Sequence, residues 1–149
     1  MDYAELHQRI AALCAGETDP VALMATVACE VHHFDARFDW TGFYRVTEPG
    51  LLKIGPYQGG HGCLTIPFAR GVCGAAARTG EVQLVDDVEV FPGHIACAAS
   101  TRSELVLPVW NGANELIAVF DIDSDQPAAF TREDAKALTA ILKEVFAPC

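Results

Sequence analysis

Residues 40–57 read WTGFYRVTEPGLLKIGPY, and this run predicts a β-hairpin. From Phe38 onward the apolar residues follow a period of two, which is typical of a strand. We therefore expect strands over 40–46 and 51–57. Glu48-Pro49-Gly50 predicts the turn between them, because proline and glycine supply the backbone angles that a tight turn needs.

The sequence after this hairpin predicts further strands and one short helix. Residues 71–80 are bounded by glycines and contain three consecutive alanines, which favours a short helix. Residues 86–102 form a long connection without a clear period, and such a loop in a compact domain is usually functional. Asn111-Gly112 is a hairpin turn signal. The remaining predicted strands are short runs that cover 63–67, 81–85, 104–110 and 116–124.

Helical periodicity precedes and follows the predicted sheet. Asp2 is a predicted N-cap with Gly16 after the helix end, and Thr18-Asp19-Pro20 starts a second helix. Residues 131–134 form a capping-box pattern, with Phe130 ahead of it. The predicted apolar faces are Tyr3, Leu6, Ile10 and Leu13 in the first helix, Val21, Met24, Ala28 and Val31 in the second, and Ala135, Leu138, Ile141, Leu142 and Val145 in the last.

The order of these elements predicts the α+β class. We expect one domain over 1–149, with a helical segment at 1–35, the sheet and its loops at 38–124, and a C-terminal helix at 131–146. The sheet is expected to be central and antiparallel, with about five to six strands and the N- and C-terminal helices packed on one face. Apolar residues make up 51% of the chain, which is enough for a substantial core.

Charge and hydropathy argue against several classes of protein. The formal charge is −10 and no cluster of Lys and Arg is present, so we expect no nucleic-acid partner and no binding to anionic membranes. The first residues carry no secretory signal, and no apolar run reaches the ~18 residues that span a bilayer. The sequence therefore predicts a cytoplasmic protein.

The cysteines allow several interpretations. No pair has the C-x-x-C spacing of a zinc ribbon or a thioredoxin-like motif. Structural disulfides are rare in the cytoplasm, so buried thiols, metal ligands and redox catalysis remain open. Cys14 and Cys29 lie in predicted helices and are interpreted as packing residues. Cys63, Cys73 and Cys97 lie close together in sequence, among the predicted strands and loops.

Three carboxylates in apolar strands form a candidate site. Asp121 and Asp123 are two residues apart and therefore share one face of the sheet, and Glu104 can join them from the next strand. Such acids cost free energy unless they are paired, hydrated or used, and the alternative is an exposed polar sheet face. Trp40 and Tyr44 also share a face, as core aromatics or as walls of a site.

A thiol close to carboxylates is an unusual nucleophile, because negative charge raises the pKa of a thiol. This argues against cysteine-protease chemistry and suits carboxyl groups that hold a cationic substrate group or deliver a proton. An alternative is a zinc site formed by His61, Cys63, His94 and Cys97 with Cys73, although these separations match no standard zinc pattern.

Several motifs together resemble one family. They are Trp40-Thr41-Gly42-Phe43-Tyr44, Gly55-Pro56-Tyr57-Gln58-Gly59, Arg70-Gly71-Val72-Cys73-Gly74, Phe91-Pro92-Gly93-His94-Ile95-Ala96-Cys97, Ser103-Glu104 and Asp121-Ile122-Asp123-Ser124. With the spacing of the three cysteines, they resemble the free methionine-(R)-sulfoxide reductases, which are GAF-domain enzymes. Sensory GAF domains lack this three-cysteine pattern.

The resemblance implies a reductase of free L-methionine (R)-sulfoxide without metal or prosthetic group. It implies that Cys97 attacks the sulfoxide sulfur and becomes a sulfenic acid, and that Cys63 then forms a disulfide with it, which thioredoxin reduces. Cys73 is an alternative resolving thiol or a bystander. The implied substrate-binding residues are Glu104, Asp121, Asp123, Trp40 and Tyr44, with Trp40 as a wall for the S-methyl group.

The alternative function is a non-catalytic GAF domain that senses a small molecule. Such a sensor is normally fused to an output module, for which 149 residues leave no room. GAF domains often dimerise through terminal helices, so a homodimer is a further expectation.

Overall fold

The computed structural model describes residues 1–149, which form six strands and four α-helices. The strands are β1 (Trp40–Glu48), β2 (Leu51–Gln58), β3 (Thr65–Pro67), β4 (Gln83–Val85), β5 (Ser103–Trp110) and β6 (Leu116–Ser124). The helices are α1 (Tyr3–Cys14), α2 (Pro20–His32), α3 (Gly71–Thr79) and α4 (Arg132–Phe146). No helix has the length and hydrophobicity needed to cross a membrane.

The strands form one antiparallel sheet in the order β3-β2-β1-β6-β5-β4. The β1–β2 hairpin and the β5–β6 hairpin are both present, and β6 joins them by pairing with β1 as well as β5. Because side chains alternate along a strand, each strand presents one set of residues to each face of the sheet. The predicted α+β class and antiparallel sheet are confirmed.

One face of the sheet is covered by α1, α2 and α4, and this side holds the larger core. Phe43 of β1 and Phe120 of β6 are fully buried there, with ring centroids 4.5 Å apart, and Phe146 of α4 packs against Phe43. The prediction that the terminal helices pack on one face is confirmed. Burial of each such side chain stabilises the fold by about 1.5–3 kcal/mol.

The opposite face is covered by α3 and the connections on either side of it, around a smaller core. Gly74 shows how closely α3 packs, because a Cβ added there would lie 2.7 Å from the carbonyl oxygen of Phe68 and 2.8 Å from that of Pro67. Only glycine therefore fits at this position. The two faces of the sheet thus differ in the size of the core they carry and in the elements that cover them.

Some predicted boundaries and faces are wrong. Cys63 does not open a strand, because β3 begins at Thr65 and Cys63 lies in the preceding connection. The predicted apolar face of α1 is wrong at Leu13, which is 54% exposed, and that of α2 is wrong at Val21, which is 48% exposed. Both residues lie beside the buried stripe of their helix, which continues from Ile10 to Cys14 in α1 and begins at Leu23 in α2.

The cap predictions are confirmed. The Asp2 side chain accepts a hydrogen bond from the backbone of Glu5, and Thr131 and Asp134 form the capping box of α4. Cys14 is buried as predicted, whereas Cys29 is only half-buried and lies 3.9 Å from His33 Nδ1. The long connection after β4 contains a single turn of 3₁₀-helix over Val88–Val90.

Asp134 links three separate parts of the fold. Arg37 donates to both of its oxygens at 2.9 and 3.0 Å, and the Tyr3 hydroxyl donates at 2.7 Å. Burial acts to raise the pKa of Asp134, but the hydrogen bonds from Arg37 and Tyr3 outweigh it and lower the pKa to about 2. The ionised carboxylate therefore stabilises the folded state relative to the unfolded chain.

We predict that Asp134→Asn lowers the free energy of unfolding by about 2 kcal/mol at pH 7, because a pKa unit corresponds to about 1.4 kcal/mol. The lowered pKa makes this contribution complete above the unfolded-state value of 3.8, and it is lost as the pH falls toward 2. Urea unfolding at pH 7, 4 and 3 measures the difference. Glu133→Gln, on the exposed side of the same turn, is the control. A difference that stays constant with pH would contradict the prediction.

Candidate active site

The register of three strands brings the predicted carboxylates together. Asp123 of β6 lies opposite Glu104 of β5 and opposite Trp40 of β1. Asp121 lies opposite Gly42 on β1. Because glycine has no side chain, neighbouring groups occupy the space beside Asp121. All three acids face α3 rather than the larger core.

Two of these acids are buried and the third is half-buried, so none is exposed and the alternative of an exposed polar sheet face is wrong. Glu104 is 7% exposed and Asp121 is 4% exposed, while Asp123 is half-buried. Oδ1 of Asp121 is buried without any hydrogen-bond partner. Because an unpaired buried polar atom costs about 1–3 kcal/mol, this oxygen is a position where a ligand can supply the missing partner.

Burial and mutual repulsion change the protonation of the cluster. Burial raises the pKa of Glu104, Asp121 and Asp123 well above the usual range, and the negative charge of a neighbouring acid raises each further. The charge of Asp121 raises the pKa of Glu104, that of Asp123 raises the pKa of Asp121, and that of Glu104 raises the pKa of Asp123. Adjacent carboxyls in a site of low dielectric constant do not all ionise, so the cluster retains protons near neutral pH.

A disulfide between Cys63 and Cys97 lies at the mouth of the pocket. Their Cα atoms are 5.2 Å apart, within the range that unstrained disulfides span. Cys63 precedes β3 and Cys97 belongs to the long connection between β4 and β5. Since the two sulfurs are bonded to each other, neither can serve as a thiolate ligand of the zinc site considered above.

Cys73 lies on the floor of the same pocket as a free, buried thiol on α3. Its Sγ is 3.9 Å from Oε2 of Glu104, to which it donates a hydrogen bond. Burial, followed by the charges of Asp121 and Glu104, raises the pKa of Cys73 well above that of an ordinary thiol. The group is therefore a neutral S–H rather than a thiolate.

The pocket is narrow in this oxidised state. Its free volume is about 40 Å³, which is room for a few water molecules and too little for an amino acid. The walls include Trp40, Tyr44, Ile95 and Thr101, and the carboxylates form the floor. Access for a larger ligand therefore requires that the disulfide opens or that the Cys97 connection moves.

Trp40 and Tyr44 belong to both the smaller core and the wall of the pocket. Trp40 stacks between Tyr44 and Tyr57, with centroid distances of 5.8 and 5.3 Å, and its indole N–H donates to the carbonyl of Gly60 at 2.8 Å. A Cβ at Gly62 would lie 2.9 Å from the Tyr44 hydroxyl and 3.0 Å from the Trp40 ring.

The sequence motifs assign no separate role to Tyr57 or to the contacts of the glycine-rich segment 58–62. The clustered glycines were the only available signal, because glycine in a loop often marks a close backbone approach. The backbone N–H of Gly71 donates to the carbonyl of Gly93 at 2.9 Å, and this contact between the start of α3 and the Cys97 connection has no signature in the sequence.

Comparisons with known proteins agree with this architecture. A GAF domain model matches residues 17–145. The free methionine-R-sulfoxide reductase of Escherichia coli (strain K12) is 41% identical over 143 residues, covering 96% of this chain and 86% of that protein. The free methionine-R-sulfoxide reductase from Neisseria meningitidis, solved in complex with its substrate, is 39% identical with a TM-score of 0.88, covering 97% and 87% of the two chains. The reduced fRMsr of Staphylococcus aureus is 34% identical with a TM-score of 0.92, covering 97% and 93%.

We predict that Asp121→Asn raises the free energy of unfolding at pH 7, because burial and the charge of Asp123 raise the pKa of Asp121 in the folded state. As the pH rises above ~4, the unfolded chain ionises Asp121 while the folded state keeps it protonated, and this difference favours unfolding of the wild type. The advantage of the variant therefore disappears at acid pH. Urea titrations at pH 4 and pH 7, with the disulfide intact, measure it. Asp125→Asn, at an exposed carboxyl beyond β6, serves as the control, and an Asp121→Asn variant less stable than wild type at pH 7 would refute the account.

Proposed function

The chain belongs to the GAF domain family and, within it, to the free methionine-(R)-sulfoxide reductases, and from this membership we propose that it reduces free methionine (R)-sulfoxide to methionine with cysteine thiols. The observation that carries the proposal is the Cys63–Cys97 disulfide at the mouth of a pocket floored by buried carboxyls. This arrangement combines a two-electron reductant with proton donors, and reduction of a sulfoxide needs both.

In the first step the reduced Cys97 sulfur attacks the sulfur of the sulfoxide. Two electrons pass to the substrate sulfur, the oxygen and a proton are transferred to Cys97 as a sulfenic acid, and methionine is released. A protonated carboxyl of the cluster donates to the sulfoxide oxygen, because this oxygen becomes a poor leaving group unless it is protonated. The raised pKa values of Glu104, Asp121 and Asp123 support this role.

In the second step Cys63 loses its proton and attacks the sulfenic sulfur of Cys97 as a thiolate. A sulfur–sulfur bond forms and the oxygen leaves as water, which gives the disulfide described above. Both cysteines are half-buried, so the bond remains accessible to an external thiol. We propose thioredoxin as that reductant: its two thiols become a disulfide and return Cys63 and Cys97 to the reduced state. Such a cycle fits the reducing cytoplasm.

The acidic cluster also selects for a free amino acid. A methionine sulfoxide within a polypeptide has no α-ammonium group, whereas the free amino acid carries one. An ionised carboxyl of the cluster binds this ammonium by a charge-assisted hydrogen bond. Trp40 and Tyr44 are the proposed apolar wall against the S-methyl group, since both rings border the pocket beside the acids. A sensor without catalysis would leave the bonded cysteine pair without a role.

We predict that Cys97→Ser abolishes turnover, because Cys97 is the only half-buried cysteine among the residues that line the pocket. Cys63→Ser is expected to release one methionine per enzyme and then stop, since the sulfenic acid has no resolving partner. Methionine is quantified after mixing reduced enzyme with the separated (R)-sulfoxide, with and without thioredoxin. Cys29→Ser is the matched control, because Cys29 lies on α2, which covers the face of the sheet opposite to the pocket. Full activity of Cys97→Ser would disprove the mechanism.

We predict that N-acetylmethionine (R)-sulfoxide is at least roughly tenfold poorer in kcat/KM than the free amino acid. Loss of one buried charge-assisted contact costs about 1.5–3 kcal/mol, which corresponds to this factor or more. Coupled NADPH oxidation with thioredoxin and thioredoxin reductase measures both rates. The methyl ester of methionine (R)-sulfoxide, which retains the ammonium group, is the matched control. Equal rates for the free and the acetylated substrate would rule out ammonium binding.

A further inference from the structure

Cys73 has no part in the two chemical steps proposed above, although it is buried directly beneath the reacting groups. Its side chain is carried by α3 and is 4% exposed. Its sulfur, one oxygen of Glu104 and one oxygen of Asp121 all lie within 4.8 Å of one another. A thiol in such a position acts either on sulfur, as a second resolving group, or on the carboxylates, as a hydrogen-bond donor.

The geometry favours the role of a donor. The Cys73 sulfur lies 3.9 Å from Oε2 of Glu104, a distance at which its S–H can donate to this oxygen. A thiol is a weak donor, but an ionised carboxylate is an acceptor only and the pocket floor is buried, which strengthens the contact. An attack on sulfur would instead require the thiolate, and a thiolate here would add a negative charge to a cluster of three acids.

Helix α3 is also poorly suited to deliver Cys73 to another sulfur. Gly74 packs directly against the carbonyl oxygens of Pro67 and Phe68, so the first turn of the helix cannot shift toward them. The N–H of Gly71 is bound to the carbonyl of Gly93. The bond that closes the pocket mouth joins Cys97 to Cys63 and leaves Cys73 free.

We propose that Cys73 is a positioning residue, whose S–H donates to Oε2 of Glu104 and holds this carboxyl toward the bound substrate. The inference rests on the reductase activity proposed above. The hydrogen bond fixes the rotamer of Glu104 and favours its ionised form over its protonated form. Cys73 thereby controls both where the Glu104 oxygen lies and when it carries a proton.

The effect of Cys73 on the protonation of Glu104 leads to a prediction about the pH dependence of the rate. Removal of the S–H donor raises the pKa of Glu104, because a hydrogen bond to the anion is lost. The limb of the pH–rate profile that reports Glu104 therefore moves to higher pH. The other titratable groups around the pocket are Asp121 and Asp123 from β6, Tyr44 from β1, and His61 and His94 from the connections. The Cys73 S–H also lowers the pKa of Asp121 by a hydrogen bond, so its loss moves the limb to higher pH whether the limb reports Glu104 or Asp121.

The test compares Cys73→Ser, which keeps a donor, with Cys73→Ala, which has none. Reduced enzyme is mixed with less than one equivalent of methionine (R)-sulfoxide, and methionine release is followed in a single turnover between pH 5 and 9. We expect Cys73→Ala to be about three- to tenfold slower, with its limb displaced to higher pH, and Cys73→Ser to remain within about twofold of wild type. Cys14→Ala, a buried thiol in the larger core, is the matched control.

Three outcomes would overturn the inference. If Cys73 is instead a resolving thiol, both variants will release methionine in a single turnover at the wild-type rate but will not cycle with thioredoxin. If the role of Cys73 is purely structural, Cys73→Ser will be slowed as much as Cys73→Ala. The melting temperature of both variants will then be lower, and the limb of the pH–rate profile will stay in place. Wild-type rates in both variants would make Cys73 a bystander. Failure of the wild-type enzyme to release methionine is a separate result, which would refute the reductase proposal and the inference that depends on it.

Discussion

The register of β6 between β1 and β5 is the constraint on which both the core and the pocket depend. In this register Phe120 and Ile122 face the helices, while Asp121 and Asp123 face α3. A slip of one residue would exchange the two sets, placing two carboxyls in the larger core and a phenyl ring in the pocket. The free-energy cost of such an exchange is many kcal/mol, because buried acids without partners and exposed apolar side chains are both unfavourable. The register that folds the protein is thus the one that assembles the site.

The two faces of the sheet divide stability and chemistry between them. The helix-covered face supplies the larger apolar core, and its buried acid, Asp134, is matched by Arg37 and Tyr3. The face covered by α3 holds acids with no cationic partner, and one oxygen of Asp121 has no partner at all. The carboxyls with raised pKa values are therefore a local destabilisation that the larger core tolerates. Groups of this kind are typical of functional sites, where a ligand completes the missing interactions.

Much of this arrangement could be predicted from the sequence, because it follows from short-range rules. The alternation in 116–124 predicted that Asp121 and Asp123 share a face, and turn residues predicted both hairpins. The sequence predicts a strand over 63–67, but β3 pairs only over Thr65–Pro67 and Cys63 lies outside the ladder. Contacts between distant segments, such as the Trp40 indole with the Gly60 carbonyl, have no periodic signal. They depend on how the loops pack on the finished sheet, which only the structure provides.

The small volume of the oxidised pocket connects the redox state of the cysteines to access in the proposed cycle. With Cys63 and Cys97 bonded, about 40 Å³ remains, so a substrate the size of an amino acid can enter only when the disulfide opens or the Cys97 connection moves. The Asp121 and Glu104 strands are held on both sides by ladder hydrogen bonds, whereas the Cys97 connection is held mainly by local turns and by the bond from Gly71 to Gly93. We therefore expect the Cys97 connection, rather than the strands, to move when the pocket opens, because few hydrogen bonds must break there. In the proposed cycle, a reductant that cleaves the disulfide restores the Cys97 nucleophile and removes the covalent link across the mouth in the same step. In the same proposed cycle, an enzyme molecule whose Cys97 is oxidised therefore has little room for a substrate that it cannot reduce.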